Sequence, residues 1–362
     1  MNICFFHSGF SRTGGIERVV SVLLNEFASD KNLKMYSLEY FQLNEKRVYS
    51  ISANVSFNAL FDKPISMTKA ILLKGIVKKV RRYIKANDID IVVACGVLYF
   101  PVAILAAKHT KAKTICWEHT NPNVVSDYRF QKICRKIGAK RSNQNVVITE
   151  KALDFYNKMS TKNCLIYNPV DDKLFESAPE YNVQSKKIVS VGRLCYAKNY
   201  DLMINIAEKI LSAHVDWSWD IYGGGEEFER LNKKVETTSV SDRLNFKGNV
   251  TDIYDRYKNY SFIVMTSRYE GFPMVLLEAS AKALPMVSFD IETGPSEIIR
   301  NDWNGFLIEN HNVQEMINKI NCLIENGDKR VFMSKNAHEF SKKFAIEKKC
   351  LQWKNLFEEL CL

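Results

Sequence analysis

Arg268-Tyr269-Glu270-Gly271-Phe272-Pro273-Met274-Val275-Leu276-Leu277-Glu278-Ala279 follows directly on Phe262–Thr266, a mostly apolar run of strand length. An apolar run, a Gly and Pro turn and then a longer apolar stretch spell strand, loop and helix. Pro273 suits the first position of a helix, so a helix is predicted to start there. Glu270 then falls in the strand-to-helix loop, at the strand's carboxyl end, where open α/β sheets bind ligands. Gly271 lets a backbone approach closely. Glu278 falls in the second helical turn, facing either a ligand crevice or solvent. A carboxylate in such a loop can accept hydrogen bonds from sugar hydroxyls, and one on the helix can hold ribose hydroxyls. On the Glu-Gly pair alone, Glu270 and Glu278 read more readily as ordinary helix-end charges.

The same strand-loop-helix grammar runs through the chain. Strands are predicted at Ile3–His7, Ile89–Ala94, Thr114–Trp117 and Asn145–Thr149, and a helix at Gly15–Ala28 with Ile16, Val19, Val20, Leu23, Leu24 and Phe27 on one side. Tyr167-Asn168-Pro169-Val170-Asp171 reads as a turn, after which the pattern restarts with strands at Lys187–Val191, Trp219–Tyr222, Leu244–Phe246, Phe262–Thr266 and Met286–Phe289. Continuous apolar strands separated by helices fit parallel sheets covered on both faces. The reading is an α/β chain of two units facing a central cleft: residues 1–168, residues 169–340, and a closing helix over residues 341–362 that packs back towards the first unit.

Bulk properties narrow the class. With 362 residues, 46% hydrophobic and 25% charged, the chain is globular and long enough for two domains. No run reaches the roughly 18 apolar residues of a membrane span. Met1–Phe6 has neither the basic start nor the cleavage site of a signal peptide, so a cytoplasmic protein is expected. The nine cysteines form no CxxC pair, and Cys4, Cys95 and Cys116 lie in apolar runs, as buried reduced thiols do. Residues 1–170 hold 26 Lys/Arg against 12 Asp/Glu, a balance of +14; residues 171–362 hold 25 against 29, a balance of −4. The basic half would suit nucleic acid, anionic lipid or a phosphorylated partner.

Further residues invite a chemical reading. Gly14-Gly15 precedes a helix whose N-terminal amides could hold an anion, although an isolated Gly-Gly is also a plain turn. The loop reads Gly9…Gly14-Gly15, which is not G-x-G-x-x-G and counts against a dinucleotide-dependent dehydrogenase. Arg193 ends the first strand of the second unit and Lys198 follows five residues later. His119 ends a strand of the first unit, and Glu118 beside it is either an acceptor contact or a loop-edge charge. No histidine has metal-ligand spacing. Asp88-Ile89-Asp90 resembles a metal-binding D-x-D but lies at the amino end of its strand, away from the ligand edge. In the stretch 71–87, Leu72, Ile76, Val80 and Tyr83 recur at helical spacing with Leu73, Val77 and Ile84 beside them, while Lys74, Lys78, Lys79, Arg81, Arg82 and Lys85 fill much of the rest. This is either an interfacial helix on anionic lipid or a core helix with a solvated basic face.

Taken together, ordered motifs resemble a known family. E-G-F-P-x-x-x-x-E at Glu270–Glu278 resembles the E-x7-E motif of retaining glycosyltransferases of the GT-B fold, especially glycosyltransferase family 4. Gly14-Gly15-Ile16-Glu17-Arg18 is similar to that family's glycine loop. Val191-Gly192-Arg193-Leu194 with Lys198-Asn199 is similar to its phosphate clamp, and Tyr222-Gly223-Gly224-Gly225 to its glycine turn. Phe246-Lys247-Gly248-Asn249 resembles its nucleobase loop, and Thr293-Gly294-Pro295-Ser296-Glu297-Ile298 the segment after its next strand. The resemblance spans nearly the whole chain.

The resemblance implies two Rossmann-like domains, the first for an acceptor and the second for a nucleotide-sugar. It implies catalytic roles for Glu270, His119, Arg193 and Lys198. Donor contacts are implied for Gly14, Gly15, Arg193, Lys198, Gly223, Lys247, Gly248, Asn249, Gly271, Phe272, Pro273 and Glu278. The donor would be a UDP-sugar and no metal or other cofactor is expected, so Arg193, Lys198 and helix N-termini must supply the positive charge. The expected activity is transfer of a hexose or N-acetylhexosamine to a glycan or a polyprenyl-diphosphate-linked acceptor in bacterial surface polysaccharide, lipopolysaccharide or glycan assembly, with peripheral contact to the inner membrane face. The nearest enzymatic rival is a nucleotide-sugar epimerase of the same fold. The rival of another class is a basic nucleic-acid-binding protein, for which no helix-turn-helix, zinc or RNP pattern speaks.

Overall fold

Two parallel sheets carry the fold. The computed structural model describes residues 1–11, 14–42, 47–63, 70–123, 129–175, 181–250 and 252–362, with the backbone alone at residues 70–72. The chain divides into two compact units, Met1–Pro169 with Ile346–Leu362, and Val170–Ala345. Residues 341–345 thus go with the second unit, and the closing segment begins at Ile346.

The first unit has seven strands: β1 (Asn2–His7), β2 (Lys34–Glu39), β3 (Ser56–Ala59), β4 (Ile91–Cys95), β5 (Lys113–Glu118), β6 (Gln144–Val147) and β7 (Asn163–Leu165). Their order is β3-β2-β1-β4-β5-β6-β7, all pairs parallel. Strand order therefore reverses between β1 and β4. The helices are α1 (Gly15–Phe27), α2 (Ala70–Ala86), α3 (Phe100–Ala107), α4 (Arg129–Arg141) and α5 (Glu150–Asn157). In α1, Val19, Val20, Leu23, Leu24 and Phe27 are buried, the spacing of one helical face.

Helix α2 settles one open alternative. Ile76, Val80 and Ile84 are buried in the unit's core, with Leu73, Val77 and Tyr83 packed against them. Among the described side chains the apolar stripe is spent inside, which makes α2 a core helix with a solvated basic face. The side chains of Ile71 and Leu72 lie outside the described residues.

The second unit has six strands: β8 (Lys187–Val191), β9 (Ser218–Tyr222), β10 (Leu244–Gly248), β11 (Phe262–Met265), β12 (Met286–Asp290) and β13 (Gly305–Glu309). Their order is β10-β9-β8-β11-β12-β13, again all parallel, with the reversal between β8 and β11. Around them lie α6 (Tyr200–Ala213), α7 (Phe228–Glu236), α8 (Ile253–Arg256), α9 (Met274–Ala281), α10 (Pro295–Ile298), α11 (Val313–Glu325) and α12 (Gly327–Ser341). Trp219, Phe262, Val264, Val287 and Ile308 of the strands pack with Met203, Ile204, Ile210 and Ile320 of the helices.

The last helix, α13 (Ile346–Cys361), belongs to the first unit. Its Trp353 is fully buried and stacks edge-on to Trp117 at 5.0 Å and against Phe5 at 6.3 Å, while Phe357 meets Phe27 of α1 at 5.6 Å.

Candidate active site

Where strand order reverses, the loops leaving the two central strands run to opposite sides and open a crevice at their carboxyl ends. In the second unit these are the loops after β8 and β11, and they carry Lys198 and Glu270. The Lys198 ammonium lies 2.5 Å from Glu270 Oε1, with the side chains 20% and 12% exposed. The same oxygen accepts a 2.6 Å hydrogen bond from Ser267 Oγ. Thr293 Oγ1 donates to the Glu270 carbonyl at 2.5 Å.

The two loops are also stapled through their backbones. Arg268 N donates to the Ala197 carbonyl at 2.8 Å, the Arg268 guanidinium donates to the Tyr196 carbonyl, and its plane lies 4.1 Å from the Tyr196 ring centre. Thr266 Oγ1 reaches the Lys198 carbonyl at 3.2 Å. Gly294, at φ +101°, closes the third side: a Cβ there would come within 2.5 Å of Pro273 Cδ and 3.2 Å of the Gly271 carbonyl. Only glycine satisfies both the backbone angle and the space.

The loop after β9 is pressed onto the loop after β8. A Cβ on Gly223 would lie 1.9 Å from the Gly192 carbonyl oxygen, and its N–H is spent on the Gly248 carbonyl at 2.9 Å. Gly223 therefore serves close packing. Asn249 lies over Gly224, whose Cβ would meet Asn249 Nδ2 at 2.7 Å. Lys247 sits 3.5 Å from Asp220, which also accepts from Asn245 at 3.1 Å and Tyr260 at 2.8 Å.

Arg193 and Lys198, expected to act together, have different partners. The Arg193 guanidinium makes a 2.9 Å ion pair with Glu226 on the surface, with 67% and 57% side-chain exposure. One expectation needs correction. Pro273 is the N-cap of α9, and the helix starts at Met274. Glu278, in the second turn of α9, is 1% exposed, so it does not face solvent. Phe272 is buried against Phe344 at 5.8 Å.

The remaining candidates lie in the first unit. Gly14 caps α1, but its N–H already donates to the Tyr49 hydroxyl at 3.2 Å, and a Cβ on it would meet Glu17 Oε2 at 2.2 Å. The helix's own first-turn carboxylate thus stands at its N-terminus, beside Gly14 and Gly15. His119 follows the last residue of β5, and its ring lies 4.1 Å from that of Trp117. Its Nε2 is buried and makes no hydrogen bond among the described residues. Burial holds the imidazole pKa down to about 3, so it is neutral near pH 7. Glu118 is neither an acceptor contact nor a loop-edge charge: it is 1% exposed and pairs with buried Arg135 at 2.7 Å. Asp88 and Asp90 both bind Lys111, at 2.9 and 2.6 Å, and Asp90 accepts from Asn2 N, a clamp at the amino end of β4.

Ser267, Thr293 and Glu226 were not expected. Ser267 directly precedes the Arg268–Ala279 phrase and Thr293 opens the quoted Thr293–Ile298 segment, and a short hydroxyl side chain is the cue each offers; Glu226 carries none.

Two family models in series cover residues 13–340. Glycosyltransferase Family 4 matches residues 13–174, and Glycosyl transferases group 1 matches residues 172–340. The chain is a family 4 glycosyltransferase of the GT-B fold. An uncharacterized glycosyltransferase of Haemophilus influenzae is 27% identical to the transferase over 357 residues, covering 98% of this chain and 99% of that one. The poly(ribitol-phosphate) alpha-N-acetylglucosaminyltransferase of Staphylococcus aureus is 26% identical over 365 residues, 92% of this chain and 73% of that one. In three dimensions the transferase matches a mutant of TarM from S. aureus, solved with fondaparinux, alpha-GlcNAc-glycerol and UDP, at a TM-score of 0.81 with 19% identity, covering 99% of this chain and 100% of that one. Among the described residues no helix of the transferase is long and apolar enough to cross a membrane.

Proposed function

We propose that the transferase moves a hexose or N-acetylhexosamine from a UDP-sugar, with retention of anomeric configuration, to a glycan or lipid-linked acceptor in bacterial surface polysaccharide assembly. One observation carries the reading: the Lys198–Glu270 pair, set 2.5 Å apart by two stapled loops where strand order reverses. A cation and a carboxylate at that place suit the two halves of a nucleotide-sugar, an anionic diphosphate and a neutral hydroxyl-rich ring. The poly(ribitol-phosphate) relative and the UDP held by the TarM mutant support a UDP-sugar donor and favour N-acetylglucosamine within that class.

In this mechanism Lys198 and Arg193 neutralise the departing diphosphate as its charge grows. Glu270 orients the sugar, Glu278 holds the ribose, and the backbone near Lys247–Asn249 receives the base. Neutral His119 orients a sugar hydroxyl. The acceptor hydroxyl forms its bond to the anomeric carbon on the face from which the phosphate oxygen leaves, and its proton passes to that oxygen. In this mechanism the cations of the chain do the work of a metal. Contact with the inner membrane face would be electrostatic, through the exposed Lys74, Lys78, Arg82 and Lys85 of α2.

A screen of UDP- and GDP-sugars for slow hydrolysis in excess EDTA, followed by acceptor trials with the active donor, tests the proposal. Hydrolysis of GDP-sugars alone, or activity lost on chelation, would overturn it.

A further inference from the structure

The end of β5 carries a closed polar hub on one face and a buried Trp–His contact on the other. Along a strand successive side chains point to opposite faces. Trp117 and His119 share one face, where the two rings meet at a tilt of 51° with their centres 4.1 Å apart. Glu118 points the other way into a polar hub closed by α4 and α5. Its Oε2 accepts from Arg135 Nε at 2.7 Å and from the Tyr156 hydroxyl at 2.9 Å. Its Oε1 accepts from Thr120 Oγ1 at 2.6 Å and from Thr120 N at 3.1 Å. Arg135 Nη2 donates to Thr120 Oγ1 at 2.8 Å, which closes the ring.

Glu118 and Arg135 are each 1% exposed. A buried ion pair is a poor stabilising device, because desolvation consumes most of its attraction and an apolar pair of like volume does as well. What a fixed pair does supply is geometry: both Glu118 oxygens are bonded, and Arg135 spends Nε and Nη2 on the hub. Here the carboxylate grips the residue two places on, by both backbone and side chain, and His119 is the residue between.

We propose that Glu118 and Arg135 are positioning residues that set the imidazole of His119 for donor transfer. The proposal rests on the reading of His119 as a substrate contact. Carboxylate and guanidinium fix the backbone of residues 118–120, and the imidazole is held against the Trp117 ring. A displacement of about 1 Å at such a contact costs about 10²-fold in rate.

The double variant Glu118→Leu, Arg135→Met removes both charges and leaves no orphaned ion. It should melt near the wild type, whereas each single variant should melt well below it. In the folded double variant the donor KM should stay unchanged while kcat falls about 10²-fold, as in His119→Ala. Amide hydrogen exchange over residues 119–123 should speed at least about tenfold, because Thr120 N loses its acceptor. Wild-type exchange at Thr120, or wild-type kcat in the folded double variant while His119→Ala is impaired, overturns the positioning role. If His119→Ala itself keeps full activity, the reading of His119 fails, and the exchange measurement still decides whether the pair sets the loop.

Discussion

Replacing Glu270 by Gln removes one negative charge and almost no volume. That charge lies 2.5 Å from the Lys198 ammonium and 2.6 Å from the Ser267 hydroxyl. At an effective dielectric of about 20 the bare attraction of the two charges is about 6–7 kcal/mol. Desolvation returns most of it, and a charge-assisted contact of this kind contributes about 1.5–3 kcal/mol net. Glu270→Gln should therefore lower the melting temperature by several degrees and stay folded. Its effect on the nucleotide follows from the sign of the lost charge. With Lys198 no longer neutralised, UDP should bind at least as tightly as to the wild type, up to about tenfold tighter, which is 1.4 kcal/mol. Transfer should fall by about 10²–10³, because the sugar loses its orienting carboxylate. Lys198→Met keeps the stem that lies over Gly192 and deletes the cation, so affinity and rate should both drop. Calorimetry with UDP in EDTA, thermal melts and initial rates at saturating donor read out all three quantities. If folded Glu270→Gln binds UDP as poorly as Lys198→Met, the carboxylate works only by holding the lysine, and its assignment to the sugar is wrong.

Arg193→Ala should weaken UDP and cut turnover by about 10²–10³, whereas Glu226→Gln, which frees Arg193 from its 2.9 Å partner, should tighten UDP; calorimetry showing no change for either would remove Arg193 from the donor site. Lys74, Lys78, Arg82 and Lys85 changed together to Ser should abolish cosedimentation with anionic liposomes, since each contributes about 1 kcal/mol near such a surface; unchanged sedimentation would end the membrane reading. Burial holds His7, with some help from Arg47, and His119 down to about 3 from the usual 6.5. The unfolded chain takes up protons below 6.5 that the native chain refuses, so stability is full above that pH and is lost on the way down towards 3. The loss is about 1.4 kcal/mol per pH unit for each histidine. His119→Asn should shrink the fall in melting temperature between pH 7.5 and pH 5, and an unaltered fall would contradict its buried, neutral state.

The parallel architecture was legible because most strands are apolar on both faces and most helices carry one apolar stripe. β2 and β7 were not. β2 reads Lys-Met-Tyr-Ser-Leu-Glu, and its Ser37 and Glu39 are nearly fully buried yet polar, tolerated through His7 at 2.8 Å and Arg47 at 3.3 Å. A partner far along the chain erases the hydropathy signal on which strand prediction depends. The motif phrases located the loops of the site, since glycine and proline spacing reports loop geometry directly. They did not give the pairing within it. Lys198 choosing Glu270, and Arg193 choosing Glu226, depend on side-chain directions that only the folded sheet order fixes. Glu118 shows the same limit: nothing near it in sequence announces Arg135, seventeen residues on.

Helix α13 has a consequence for synthesis. The first unit is complete only when Ile346–Leu362 joins it, so a growing chain that has finished residue 169 must wait for the whole second unit to be made. At about 5–20 residues per second that interval is roughly 10–40 s. Throughout it, the seat of Trp353 and Phe357, formed by Trp117, Phe5 and Phe27, is bare aromatic surface on a tethered nascent chain. A chain stopped at Ala345 should keep that surface, bind a hydrophobic dye and engage chaperones; a soluble, dye-silent truncation would show that the first unit closes without its last helix. The order of the sequence thus predicts an interval of synthesis in which the nascent transferase depends on chaperones.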